Sequence, residues 1–202
     1  MKLHRSALFA CLCVAGLAQA EDSPWAVRFG LHYINPKSDN GTLAGGTLDA
    51  SIDSDLKPSI ALDYYFSPNW SLDILAAVPF KHTVSLNGAE AVELTHLPPT
   101  VSIEYHFAPD AQLRPFVGLG VNYTLIYDEK ARGPLAGTKV GLDNSFGLAA
   151  QAGLEWAIDE RWSIVADVRW MDIDTDVFVN GAKVGTASVD PLALGLTAAI
   201  RF

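Results

Sequence analysis

Ser102, Glu104 and His106 occupy every second position of one short stretch, and a serine, a carboxylate and an imidazole are the parts of a hydrolase. On a strand all three side chains point the same way. Same-face neighbours stand about 6.5–7 Å apart, whereas a proton relay needs contacts of about 2.6–3.2 Å. The spacing therefore favours an interior hydrogen-bond and ion network, with Arg114 or Arg201 as the cationic partner. A lipid-deacylating barrel would carry a His-x-Ser word, and His4-Arg5-Ser6 falls in the leader described below. Asp172, Asp174 and Asp176 alternate like the start of a calcium loop. An EF-hand then requires Gly at its sixth position and Glu at its twelfth, but Val177 and Lys183 stand there, so this reads as a solvated loop. His32, His82, His96 and His106 have no close metal-ligand spacing. Neither metal, cofactor nor enzymatic activity is expected.

The elements that position these residues begin after a leader. Lys2 and Arg5 precede an apolar run from Ala7 to Ala18, and Ala18-Gln19-Ala20 supplies a small-x-small cleavage pattern. Residues 1–20 read as a secretory signal peptide and 21–202 as one mature domain. Leu8-Phe9-Ala10-Cys11 faintly resembles a lipobox, but the apolar run continues past it to the better cleavage site. Both cysteines, Cys11 and Cys13, lie in the leader, which leaves no disulfide or thiolate site in the mature chain. Fourteen Lys plus Arg against 23 Asp plus Glu give a net charge of −9, the wrong sign for a nucleic-acid footprint. Beyond the leader no apolar run reaches the ~18 residues of a membrane helix. Only helices and closed barrels span bilayers, so a membrane reading requires a barrel.

A two-residue period supplies the strands. Trp25–Tyr33, Pro58–Phe66, Trp70–Phe80, Leu97–Phe107, Leu113–Leu125, Phe146–Trp156, Trp162–Trp170 and Leu192–Phe202 each set an apolar face against a small or charged one. Connections 67–69, 108–112 and 159–161 are short, while 36–55, 81–94, 127–142 and 172–189 are long. Outer-membrane barrels alternate short periplasmic turns with long extracellular loops in this way. Phe66, Trp70, Phe107, Trp156, Trp162 and Phe202 gather where strands meet the short turns, with Trp25 on the same rim. That is one aromatic girdle. The expected fold is all-β: an eight-stranded antiparallel transmembrane β-barrel with long extracellular loops and short periplasmic turns. Its lumen is just wide enough to be filled by side chains or to hold one small ligand. Pro98, Pro99 and Pro115 cannot donate to a ladder, and a break in pairing is expected near Pro98-Pro99, at the outer end of the fourth strand.

The words "KPSIALDYYFSPNWSLDILAAVPFKH", "THLPPT", "RPFVGLGVNY" and "WMDIDT" resemble the outer-membrane protein W family, which includes alkane-uptake barrels, in order over residues 25–202. The resemblance implies a barrel in the Gram-negative outer membrane that passes small hydrophobic solutes and releases them sideways into the membrane. It implies a channel lined by Leu75, Ala77, Phe116 and Arg169, with a lateral opening at Pro98 and Pro99. Leu75 matches a position whose aliphatic side chain narrows the channel. Arg169 stands where part of the family has an aromatic gate, and its guanidinium needs a partner or water. The final Phe202 resembles the signal read by the barrel-assembly machinery. Implied partners are membrane lipids and lipopolysaccharide, hydrophobic solutes and that machinery, and no nucleic acid. The inward charges Arg28, Asp63, Asp73, Glu104, Arg114, Glu155, Asp167, Arg169 and Arg201 suit an alternative: a structural or adhesive barrel with a plugged lumen, whose loops bind host surfaces, phage or bacteriocins.

Overall fold

The computed structural model describes residues 23–202, so residues 1–20, expected as a signal peptide, and both cysteines lie outside the described residues. The first half of the chain forms β1 (Trp25–Asn35), β2 (Thr42–Leu43), β3 (Leu48–Ile52), β4 (Asp55–Ser67), β5 (Trp70–Ala77), β6 (Phe80–Leu86), β7 (Ala89–Leu97) and β8 (Thr100–His106). The second half forms β9 (Leu113–Ala131), β10 (Val140–Leu142), β11 (Ser145–Ala157), β12 (Trp162–Met171), β13 (Asp174–Val179), β14 (Ala182–Ser188) and β15 (Leu192–Arg201). Antiparallel pairing runs β1–β4–β5–β8–β9–β11–β12–β15 and returns to β1, closing an eight-stranded barrel. Closure removes every sheet edge, which lets a sheet sit in lipid with its backbone satisfied.

The period of two decides which side faces out. Along β12 exposure alternates strictly, with Trp162, Ile164, Val168 and Trp170 outside and Ser163, Val165, Asp167 and Arg169 inside. Leu119 is 74% exposed and Phe146 70%, values that only a lipid solvent makes tolerable across a continuous apolar belt. The girdle at the short turns is packed, with Trp25 on Tyr64 at 4.7 Å and Trp70 on Tyr105 at 4.9 Å between ring centroids. A second rim, unnoticed in the sequence, carries Tyr33, Tyr123, Phe146 and Trp170 at the opposite end. On β12, Trp162 and Trp170 are separated by about 21 Å along the barrel axis at ~3.4 Å per residue and ~40° tilt, close to the ~25 Å apolar band of such barrels.

The long connections are built, not loose. β9 has 19 residues, where about 9–11 suffice to cross a bilayer, and its outer part pairs with β7. The segment expected as a loop at 81–94 is the hairpin β6–β7, and 172–189 contains the hairpin β13–β14. Both turn on Asn-Gly pairs with left-handed backbone: Asn87 (φ 49°) with Gly88 (φ 81°), and Asn180 (φ 52°) with Gly181 (φ 84°). Such pairs favour the tight turn whose twist matches the flanking strands. Leu43, Ala50, Val84, Leu94, Val140 and Val177 belong to a buried cluster inside this outer cap.

The ladder between the third and fourth barrel strands is interrupted. β5–β8 pairing ends at Leu75 opposite Thr100, and β6–β7 pairing starts at Phe80 opposite His96. Between them Pro79, Pro98 and Pro99 have no N–H to contribute. Each flank is held from its other side. Val78 donates its N–H to the Pro58 carbonyl at 2.9 Å, and the Pro99 carbonyl accepts from Tyr123 N–H at 3.1 Å.

Candidate functional site: an apolar chamber above a charged plug

The barrel interior is layered. Nearest the outside, the cap encloses a cavity of ≈ 230 Å³. Alternation aims Ile52 of β3, Val84 of β6, Leu94 of β7, Val140 of β10, Val177 of β13 and Ala187 of β14 into it. Among the described residues its polar wall side chains are Thr175, His82 and His96. Thr175 is satisfied, because its hydroxyl donates to the Asp143 carbonyl at 2.7 Å. Beneath the cavity Ile34, Phe80, Ala149, Met171, Ile173 and Ala193 pack into an apolar floor.

Mid-barrel, the lumen is filled by charge. Arg28 Nη2 donates to Asp63 at 2.5 Å, Asp73 at 2.7 Å and Glu104 at 2.9 Å. Arg169 reaches Asp73 through Nη1 at 2.6 Å and Asp167 through Nε at 2.8 Å. Gln151 donates to Glu104, and His32 bridges Ser59 at 2.7 Å and Asp167 at 3.3 Å. These groups come from β1, β4, β5, β8, β11 and β12, so the network ties six of the eight barrel strands across the lumen. Small residues on the remaining walls make room: a Cβ on Gly195 would lie 2.4 Å from His32 Nε2 and 2.5 Å from Asp167 Oδ1. Below the plug Phe116 lies under the Arg28 guanidinium, 5.6 Å from its ring centroid.

The network corrects two expectations. Glu104 is neutralised by Arg28, not by Arg114 or Arg201; Arg114 pairs with Glu155 at 3.3 Å and Arg201 lies over Tyr65 at 3.7 Å. Those two arginines sit near the short turns, too low in the barrel to reach Glu104. Nor is 172–189 simply a solvated loop. Asp176 is held by Lys183 at 2.5 Å and Thr186 at 2.7 Å, while Ile173, Thr175 and Val177 between the aspartates face the interior. The signal was the period of two in "DIDTDVFV".

The same geometry shows what the charged groups do chemically. Ser71 Oγ lies 2.9 Å from His106 Nε2 and 3.2 Å from Glu104 Oε2, so Ser71 takes the place expected of Ser102, whose own hydroxyl is buried without a hydrogen-bond partner. This is a buried structural network in which each member's partner is another wall residue. Asp63, Asp73 and Glu104 bring oxygens within 4.8 Å of one another, a cation-sized cluster. Its cation is the Arg28 guanidinium, which bonds to all three.

The residues singled out from sequence are distributed through these layers. Leu75 points inward at the last barrel pair of β5, opposite Ala61 and Thr100, and is 7% exposed. Ala77 packs on the apolar floor. Arg169 belongs to the plug, with the partners its burial demands, and Phe116 lies beneath it. Pro98 is buried and Pro99 half-buried at the ladder interruption. Phe202 donates its N–H to the Trp25 carbonyl at 3.1 Å. The chamber wall itself is formed by residues of the cap hairpins, which sequence reading had placed in loops.

Known proteins resemble this chain in sequence and fold. Residues 23–202 match the OmpW family. Outer membrane protein W of Vibrio cholerae serotype O1 is 29% identical over 197 residues, spanning 91% of this chain and 90% of that protein. Among solved structures, the outer membrane protein OprG from Pseudomonas aeruginosa superposes with a TM-score of 0.77 at 27% identity, covering 88% of this chain and 95% of that one. The outer membrane protein AlkL in DMPC bilayers gives 0.68 at 26% identity, covering 100% of this chain and 97% of that one. Because the match runs through the barrel and the cap alike, the chain belongs to the OmpW family, in the Gram-negative outer membrane.

Proposed function

We propose that the barrel takes up small hydrophobic molecules passively and releases them sideways into the bilayer. One observation carries this reading: the apolar chamber stands above a charged plug and reaches down to His96, the first residue above the interrupted ladder. Apolar solutes partition into the chamber for the reason apolar side chains leave water. Straight passage down the axis would force them through ionised groups, whose solvation an apolar solute cannot replace. The prolines Pro98 and Pro99 keep the adjoining wall free of cross-strand hydrogen bonds, so parting it there costs no ladder. Leu75 and Ala77 narrow the way between chamber and plug, and Phe116 and Arg169 close the lumen below. The AlkL likeness and the resemblance to alkane-uptake barrels support the same solute class.

The test is uptake of a panel of hydrophobic solutes by cells matched for outer-membrane level of the protein. Val177→Asp places a charge in the chamber and Leu75→Asp places one at the constriction; each is expected to cut uptake about tenfold, the effect of ~1.4 kcal/mol of lost partitioning. If both variants and a full deletion import these solutes like wild type, the channel reading fails. The plugged barrel whose loops bind surfaces, phage or bacteriocins then becomes the better account.

A further inference from the structure

The barrel wall has a second interruption, between its first and second strands. β1–β4 pairing ends at Ile34 opposite Asp55. The two runs of chain meet again only where Ala50 donates its N–H to the Gly41 carbonyl at 3.0 Å and Thr42 lies opposite Asp49. Between these points residues 35–40 run past residues 51–54, an unequal pair that cannot hold a ladder register. Among the described residues one hydrogen bond crosses the stretch, from Ile52 N–H to the Asn40 side-chain oxygen at 3.0 Å. Pro36 has no N–H to offer. Lys37 turns its N–H away to the Val189 carbonyl at 3.0 Å, and Asp53 turns its own to the Thr83 carbonyl at 3.2 Å.

An open cleft of ≈ 750 Å³ lies on this stretch. Asn35, Pro36, Lys37 and Ser38 form one bank, with Ser51 and Ile52 on the other. Ile52 also lines the apolar chamber, and it packs on both the cap cluster and the floor. One half-buried side chain thus belongs to the outer cleft and to the chamber wall. At the foot of the cleft stand Trp170 and Leu192 of the outer lipid-facing rim. Beyond them its walls are polar, and Lys37 pairs with Asp190 at 2.8 Å. The proline interruption has a different setting. Val78 and Val101 are exposed beside it on the lipid face, and Val78 is held by Pro58, six residues nearer the short turn than Ile52 on the same run of chain.

We propose that this seam is the entrance by which apolar solutes reach the chamber from the headgroup layer, with Ile52 as the side chain they displace. Parting the wall here breaks one side-chain hydrogen bond and no ladder. An incoming solute meets Trp170 and Leu192, then Ile52, then the chamber, so it has an apolar partner at each step. Entrance and exit differ in height: the seam opens among polar groups at the outer rim, the proline interruption onto hydrocarbon. This inference rests on the chamber being the solute site, and it adds the way in.

The experiment closes the seam in the full barrel on intact cells. Ser38 and Ser51 are exposed on opposite banks, and the only native cysteines, Cys11 and Cys13, lie in the expected leader. The Ser38→Cys/Ser51→Cys variant is bridged with an impermeant, reducible bis-thiosulfonate linker, and mass spectrometry verifies that one linker joins both cysteines. Bridging is expected to cut uptake of radiolabelled naphthalene about tenfold, and reduction to restore it. The single-cysteine variants, which take the linker without bridging, should lose far less. Equilibrium binding of naphthalene to the bridged barrel in lipid vesicles should match the unbridged one, because the proline interruption still admits solute from the bilayer. Uptake unchanged by bridging overturns the entrance, and so does a loss of equilibrium binding, which would mean a collapsed chamber. If cells lacking the protein take up naphthalene as fast as those with the unbridged variant, the uptake reading itself falls and the entrance with it.

Discussion

Arg169 shows how one residue settles a question that its type alone leaves open. A guanidinium in place of an aromatic gate suggests a wetter, leakier lumen, but its contacts make it a tie between Asp73 and Asp167. Removing one member of such a buried pair leaves uncompensated charge and costs about 3–5 kcal/mol. Arg169→Trp leaves Asp73 with Arg28 and Asp167 with His32 as their remaining partners, and is expected to destabilise by no more than that amount. Arg28→Met leaves Asp63 without its cation and Glu104 with only neutral donors, Gln151 and Ser71, and should be more severe. Urea unfolding of barrels refolded into lipid vesicles measures this; midpoints equal to wild type would show that the plug contributes little to stability. Leu75, by contrast, has no polar partner to lose, so its substitution is a cleaner probe of the solute path.

At the scale of elements, the β6–β7 hairpin is where sequence and pH meet. It lies beyond the last barrel pair, its outward Lys81, Thr83 and Ser85 being polar, so it stands outside the hydrocarbon. Burial holds His82 and His96 neutral within it, against the smaller opposing pull of Asp53 and Asp55. An opened hairpin takes up protons near the ordinary histidine value of about 6.5, whereas the closed one resists until about pH 3 at His96. The open form thus binds more protons below pH ~6.5, and the stability of the closed cap falls as pH drops through that window. The other nearby charges, Lys81 and Glu93 on the hairpin and Lys130 on the adjoining β9, face solvent and pull less. Limited proteolysis of the reconstituted barrel should cut within 81–97 faster at pH 5 than at pH 7.5, relative to a His82→Leu/His96→Leu control. No difference from that control would exclude the histidines as the cause.

The whole molecule is a thin belt of lipid-facing strands carrying a tall, apolar-lined cap on one end. An even number of strands puts both ends of the barrel strands on the side of the short turns. Cysteine variants Asn87→Cys and Gly181→Cys, at the cap hairpin tips, should react with an impermeant maleimide on intact cells. Asn69→Cys and Glu160→Cys, at the short turns, should react only after the outer membrane is opened. Labelling of the short turns from outside would reverse the orientation.

By itself the sequence determined the eight barrel strands, because lipid on one side and a crowded lumen on the other impose a period of two that local residue types display. It also marked the interruption, since Pro98 and Pro99 lack the N–H that pairing needs wherever they stand. The cap hairpins were half legible: "LNGA" and "VNGA" are turn signals, and "DIDTDVFV" alternates, but polar residues on the solvent face masked them as loops. The partner of Glu104 and the seat of Arg169 were decided only by the tertiary structure. Each depends on which strands face one another across the lumen and at what height. That is fixed by barrel closure and stagger, a property of all the strands together that no single stretch encodes.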